Sequence, residues 1–80
     1  MAITKLKAMR EKMGMSQSQL AKKSGVPYRA LQYYEQGQMN FDHARMDKII
    51  SIALALNCNI EDIIEDKTVI GMVKEYQKAL

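Results

Sequence analysis

Residues 16–37, SQSQLAKKSGVPYRALQYYEQG, decide the reading of this 80-residue chain. Ser16, followed three residues on by Gln19, forms a capping box in which the two side chains satisfy free backbone N–H groups at a helix start. Leu20 and Ala21 give that helix an inward side, and Lys22 and Lys23 put positive charge at its end, where the helix dipole favours it. Gly25 supplies a turn. Pro27 fits the first position of the next helix, where its missing N–H is not needed, and that helix ends near Gln36-Gly37.

The second helix of this stretch has two unlike sides. With Tyr28 at 0° and a turn of about 100° per residue, Gln32, Arg29 and Tyr33 fall at about 40°, 100° and 140°. Pro27, Ala30, Leu31 and Tyr34 fall on the other side and pack on the preceding helix. The first group carries hydrogen-bonding ends on long stems. Arginine bonds guanine O6 and N7 together, glutamine does the same with adenine N6 and N7, and a tyrosine reaches a phosphate or a thymine methyl. A helix face that is merely solvated is the competing explanation, but such faces favour Lys and Glu rather than two tyrosines.

Upstream, Ile3, Leu6, Met9, Arg10 and Met13 recur at three- and four-residue spacing and predict an inward face on a first helix over about 4–13, ended by Gly14. Arg10 on that face and Glu35 at the inner border of the later helix are economically explained as a structural ion pair, since a lone buried charge is expensive. Arg10 reaching out to solvent is the alternative. Downstream, a loop leads to Asp42, the expected cap of a fourth helix with Met46, Ile49, Ile50, Ala53 and Leu54 inward and Asn57 at its end. Asn59 and Asp62 are expected to cap a short fifth helix holding Ile60, Ile63 and Ile64. Over about 68–80, Val69, Met72, Val73, Tyr76 and Leu80 form one stripe of a sixth helical segment.

The composition agrees with an all-α chain: 48% of residues are apolar and there is one proline. Residues 1–48 carry nine Lys/Arg against four Asp/Glu, whereas residues 49–80 carry three against five. A basic front half suits a polyanionic partner, although a charge bias is often only a solvated surface. No apolar run approaches the ~20 residues that span a bilayer. The N-terminal MAITKLKAMREK, with Met1 as initiator, has no apolar core and is not expected to act as a secretory signal. Cys58, the one cysteine, fits a reducing cytoplasm and reads as a packing residue rather than a reactive thiol.

His43 and Cys58 lack metal-ligand spacing, so neither a metal nor another cofactor is expected. No base–orienter set accompanies the serines, and no enzyme activity is expected. Among the methionines, Met9, Met13 and Met46 read as core filler, while Met39 and Met72 could lie at a contact surface.

With these residues in hand, the chain resembles the phage Cro and repressor (XRE) family of helix-turn-helix DNA-binding proteins. The resemblance covers about 6–64 and rests on Leu6-x-x-Met9-Arg10, Gly14-Met15-Ser16-Gln17-x-x-Leu20-Ala21, Gly25-Val26, Leu31-x-x-Tyr34-Glu35-x-Gly37 and Ala55-Leu56-Asn57. It implies a five-helix lambda-repressor-like domain over residues 1–66, with residues 67–80 as a helical extension for packing or dimerisation.

It also implies a transcriptional regulator, usually a repressor, that docks its third helix in the major groove, commonly as a homodimer on a pseudo-palindromic double-stranded DNA operator. A cytoplasmic protein of bacterial or phage origin is expected. By position, Tyr28, Arg29, Gln32 and Tyr33 become base-reading residues, and Gln17 a phosphate contact that braces the reading helix. Arg10 and Glu35 match the family's internal ion pair. Where relatives carry Lys or Arg after the glycine at 37, this chain has neutral Gln38 and Asn40, with His43 beyond, as phosphate donors. Two other functions compete: an antitoxin that binds a toxin partner through the C-terminal stripe, and a helix-turn-helix scaffold used for protein–protein contact without DNA.

Overall fold

In the computed structural model, which describes residues 3–80, Thr4 accepts a hydrogen bond from the Lys7 amide and so opens α1 (Lys5–Lys12). Only Leu6 and Arg10 of α1 are buried, and Met9 packs at the edge of the core. Ile3 and Met13, expected inward, are 61% and 42% exposed because they lie beyond the two ends of this short helix, past the reach of the core. Met1 lies outside the described residues.

Ser16 and Gln19 form the expected box at the start of α2 (Gln17–Ser24), with both backbone–side-chain bonds present at 2.8 and 3.1 Å. Gly25, at φ 77°, closes that helix in the left-handed region, where an L side chain is strained. Pro27 sits one residue earlier than expected. It is the cap of α3 (Tyr28–Gln36) rather than its first residue, with its carbonyl accepting from the Leu31 amide at 3.0 Å. Leu20, Ala21, Val26, Leu31 and Tyr34 bury the contact between α2 and α3.

After α3 the chain departs from expectation. Asp42 does not cap a helix. It lies in a one-turn 3-10 segment, Phe41–His43, that buries Phe41 edge-on against Tyr34 with ring centroids 5.2 Å apart. α4 (Met46–Leu56) begins four residues later, after Arg45. Its buried residues are Ile49, Ile52, Ala53, Ala55 and Leu56; Met46, Ile50 and Leu54, expected inward, face solvent. The helix packs mainly on α2. With apolar residues nearly all round it, packing and not periodicity chooses the buried face.

The expected fifth helix is a single 3-10 turn, Ile60–Asp62, closed by the Asp62 carboxylate accepting from the Asn59 amide at 3.0 Å. Ile63 and Ile64 behind it are buried. α5 (Lys67–Ala79) follows, capped by the Asp66 side chain, and buries none of its residues fully. Val69, Ile70 and Val73 are half-buried, whereas Met72, Tyr76 and Leu80 are open. The described residues are all-helical, with five α-helices and no strand.

Candidate nucleic-acid interface

A buried carboxylate holds the α2–α3 pair in place. Glu35 accepts from Arg10 Nε at 2.7 Å and from Arg10 Nη2 at 3.0 Å, so the two groups meet fork to fork. The remaining reach of Arg10 goes to the Met15 carbonyl, which accepts from Nη1 at 2.7 Å at the entrance to α2. The Glu35 carboxylate beside it holds the Arg10 guanidinium even more firmly protonated than usual. Among the described residues no buried side-chain nitrogen or oxygen lacks a partner. An ion pair so fully satisfied escapes the usual penalty of an incomplete buried network.

The network continues to the surface. Gln17 Nε2 donates to Glu35 Oε1 at 3.0 Å, and Gln17 Oε1 accepts from the Tyr28 hydroxyl at 3.4 Å. The path Arg10–Glu35–Gln17–Tyr28 therefore joins α1, the end of α3, the start of α2 and the start of α3. Thr4 adds a further tie, its hydroxyl donating to the Glu35 carbonyl at 3.3 Å. The orientation of α3 is fixed at both ends by hydrogen bonds to its neighbours, and apolar packing fills the space between.

On the far side of α3, Tyr28, Arg29 and Tyr33 are exposed and Gln32 is half-buried beside them. None of the four takes part in the core. Tyr28 and Tyr33 are 44% and 36% exposed, and the Tyr28 hydroxyl is the one bonded to Gln17. The loop beyond α3 presents Gln38, Asn40 and His43, all exposed. Asn40 Oδ1 accepts from the Asp42 amide at 3.0 Å, which shapes the loop and leaves the Asn40 side-chain NH2 group as an exposed donor. Lys22 and Lys23 are exposed on α2, and Arg45 is exposed with Asp47 at 3.3 Å.

Three features escaped sequence reasoning. The Tyr28–Gln17 bond and the Arg10–Met15 bond depend on how helices cross, which spacing within one helix does not report. The third is Asp42, whose carboxylate accepts from the Glu65 amide at 2.9 Å and the Asp66 amide at 2.7 Å. It ties the loop after α3 to the segment that leads into α5, where a cap for α4 was expected. Its spacing to Met46 was the available signal, since a helix cap stands immediately before its helix.

His43 and Cys58 are not joined in any cluster: among the described residues no three His, Cys, Asp or Glu side chains are grouped to hold a metal ion. Cys58 is half-buried, and burial pushes its thiol pKa up, which lowers its reactivity. Among the described residues no helix is long and apolar enough to cross a membrane.

Residues 6–63 match the family described as helix-turn-helix, a span that runs from Leu6 in α1 to the isoleucine just after the second 3-10 turn. No curated protein and no solved structure matches the chain. The match covers the Arg10–Glu35–Gln17–Tyr28 network and well over half of the chain, and the chain belongs to the Cro/repressor-type (XRE) helix-turn-helix family of DNA-binding regulators.

Proposed function

We propose that this chain is a sequence-specific transcriptional repressor that lays α3 in the major groove of a pseudo-palindromic operator as a homodimer. The observation that carries the reading is the outward group Tyr28, Arg29, Gln32 and Tyr33 on a helix held by the Arg10–Glu35–Gln17 network. A base-reading helix has to be rigid, because discrimination of about 1–3 kcal/mol per base contact is lost when the donor can swing to another acceptor. Arg29 is the guanine reader of the four and Gln32 the adenine reader; the tyrosines serve thymine methyls or flanking phosphates.

Positioning falls to backbone contacts. Gln17 stands at the start of α2 with the free amides of a helix N-terminus, which attract phosphate, and Gln38, Asn40 and His43 line the next stretch of strand. The amides of Gln17, Gln38 and Asn40 carry no charge, so the salt dependence of binding is expected to be shallower than for a loop lined with lysines. Repression is supported by the family alone.

Selection of bound sites from random duplexes tests the proposal directly. Enriched, two-fold related half-sites about 34 Å apart are the expected result. Failure to retain any duplex at low salt would overturn the DNA-reading assignment in favour of a protein-binding scaffold.

A further inference from the structure

The hydrogen-bond path from Arg10 to Tyr28 has a direction, because it starts at a group that can only accept. Both oxygens of Glu35 accept from Arg10, Oε2 from Nε at 2.7 Å and Oε1 from Nη2 at 3.0 Å. Neither is left to carry a proton, so Glu35 faces Gln17 as a carboxylate. Gln17 therefore turns Nε2 to it, at 3.0 Å from Oε1. The flipped amide would set oxygen against oxygen.

That orientation brings Gln17 Oε1 to the Tyr28 hydroxyl at 3.4 Å. An amide oxygen has no proton to give, so the hydroxyl is the donor at this contact. A tyrosine hydroxyl has one proton. With that proton on Gln17, it offers an incoming group only its lone pairs.

We infer that the Tyr28 hydroxyl reads a base amino group, N6 of adenine or N4 of cytosine, at one position on one strand of the operator. The inference rests on the docking of α3 proposed above and adds the class of base that its first residue selects. In the major groove adenine and cytosine present an N–H donor where guanine and thymine present a keto oxygen. A hydroxyl that only accepts suits the first pair and meets the second lone pair to lone pair. Phosphate oxygens are acceptors too, so the same accounting removes a phosphate as the partner of this hydroxyl. The ring stays free to lie on the methyl of a neighbouring thymine.

Position agrees with the chemistry. Tyr28 is exposed at the first residue of α3, and the N-terminal residues of a recognition helix are those that reach base edges. Gln17 is then a positioning residue for base choice. It touches no base but decides which way the Tyr28 hydroxyl points its proton, and its second Nε2 hydrogen is left for phosphate.

Selection from random duplexes with the full chain, repeated with two variants, tests the inference. The parent should show one position that takes A or C on one strand and loses about tenfold in affinity with G or T. Tyr28→Phe keeps the ring and removes only the hydroxyl, and should erase that preference while other positions keep theirs. Gln17→Met removes the acceptor and frees the hydroxyl proton, so G and T should bind within about twofold of A and C there. Replacing the selected base by the same ring without its amino group should cost the parent about tenfold and Tyr28→Phe nothing further. Tyr28→Phe changes one exposed atom and leaves the fold intact, so its two results decide the matter even where Gln17→Met destabilises the chain.

A Tyr28-dependent position that prefers G or T would overturn the inference, as would a loss in Tyr28→Phe that is equal on every duplex. A folded Gln17→Met that keeps the parent's preference would overturn it as well. In each of these outcomes the chain still reads DNA. Retention of no duplex by the parent would instead overturn the proposed function, and this inference with it.

Discussion

The start and the end of this chain are joined to its centre by different chemistry. α1, α2 and α3 meet through buried side chains: Glu35 is 5% exposed and Arg10 is 8% exposed, and the carboxylate between them serves three donors. α5 meets the rest through half-buried Val69, Ile70 and Val73 and through backbone amides gathered by Asp42, with no fully buried residue of its own. Desolvated charges make the first junction strong only while it is complete. The second is open to water, where each bond is worth less and its loss is tolerated. A helix that must keep one orientation needs the first kind of joint; a helix at the edge of the fold can be held by the second.

The sharpest way to break this contrast is Glu35→Ala. It leaves Arg10 buried without its partner, and the fold should lose about 3–5 kcal/mol in urea denaturation, enough to threaten folding of so small a domain. A loss under about 1 kcal/mol would mean that Arg10 turns to solvent and that the junction resembles the one at α5.

Arg29→Ala strikes the outer side of the same unit. Stability should change by less than about 0.5 kcal/mol, since the side chain is exposed. Affinity for the selected operator should fall by about 1–3 kcal/mol, with discrimination relaxed at one base pair. Fluorescence anisotropy on the operator and on single-base variants separates the outcomes: an equal loss on every duplex would make Arg29 a phosphate contact.

The same contrast governs how much of the fold the sequence alone declares. Helices α1 to α3 are punctuated by residues with strong local preferences, Ser16 and Gln19 at a start and Gly25 and Gly37 at φ 77°, so their limits follow from local chemistry. The Arg10–Glu35 pairing was legible because two charges on inward faces have few affordable arrangements. α4 was misjudged for the opposite reason. In MDKIISIALAL apolar residues fall on every side, so a face centred on Met46, Ile50 and Leu54 is as periodic as the true one centred on Ile49, Ile52 and Leu56. Only the position of α2 decides between them.

Asp42 was misread because a polar residue ahead of an apolar run imitates a cap, and nothing local announces that Phe41 must first turn inward against Tyr34. The outward group on α3 was visible from helical angles alone. Its links to Gln17 do not follow from those angles; only the resemblance implied that Gln17 braces this helix.

Asp42→Ala sharpens the comparison at the weaker joint. The Glu65 and Asp66 amides lose a charged acceptor, at a cost of roughly 1–2 kcal/mol because water can replace it in part. Hydrogen exchange should quicken at those two amides and through α5 while the protection of α2 and α3 is retained. If protection falls throughout the chain by the same amount, α5 is fastened to the core as tightly as α3, and the distinction between the two joints disappears.

The smallest effects come from one substitution made in both regions. Gly37→Ala forces an L side chain into the left-handed cap that ends α3, where the Gly37 amide serves the Tyr33 and Tyr34 carbonyls, and should cost about 1 kcal/mol. Gly71→Ala lies inside α5 with nothing within 4 Å of the added carbon and no left-handed backbone, so it should gain about 0.5–1 kcal/mol of helix stability. Where that gain registers is the informative part. Slower exchange of α5 amides with an unchanged urea midpoint would mark α5 as a unit that opens without the core, whereas a raised midpoint would mean that it unfolds together with α1 to α4. The first outcome is expected of a helix with no buried residue of its own, because local opening there exposes little that the core had protected.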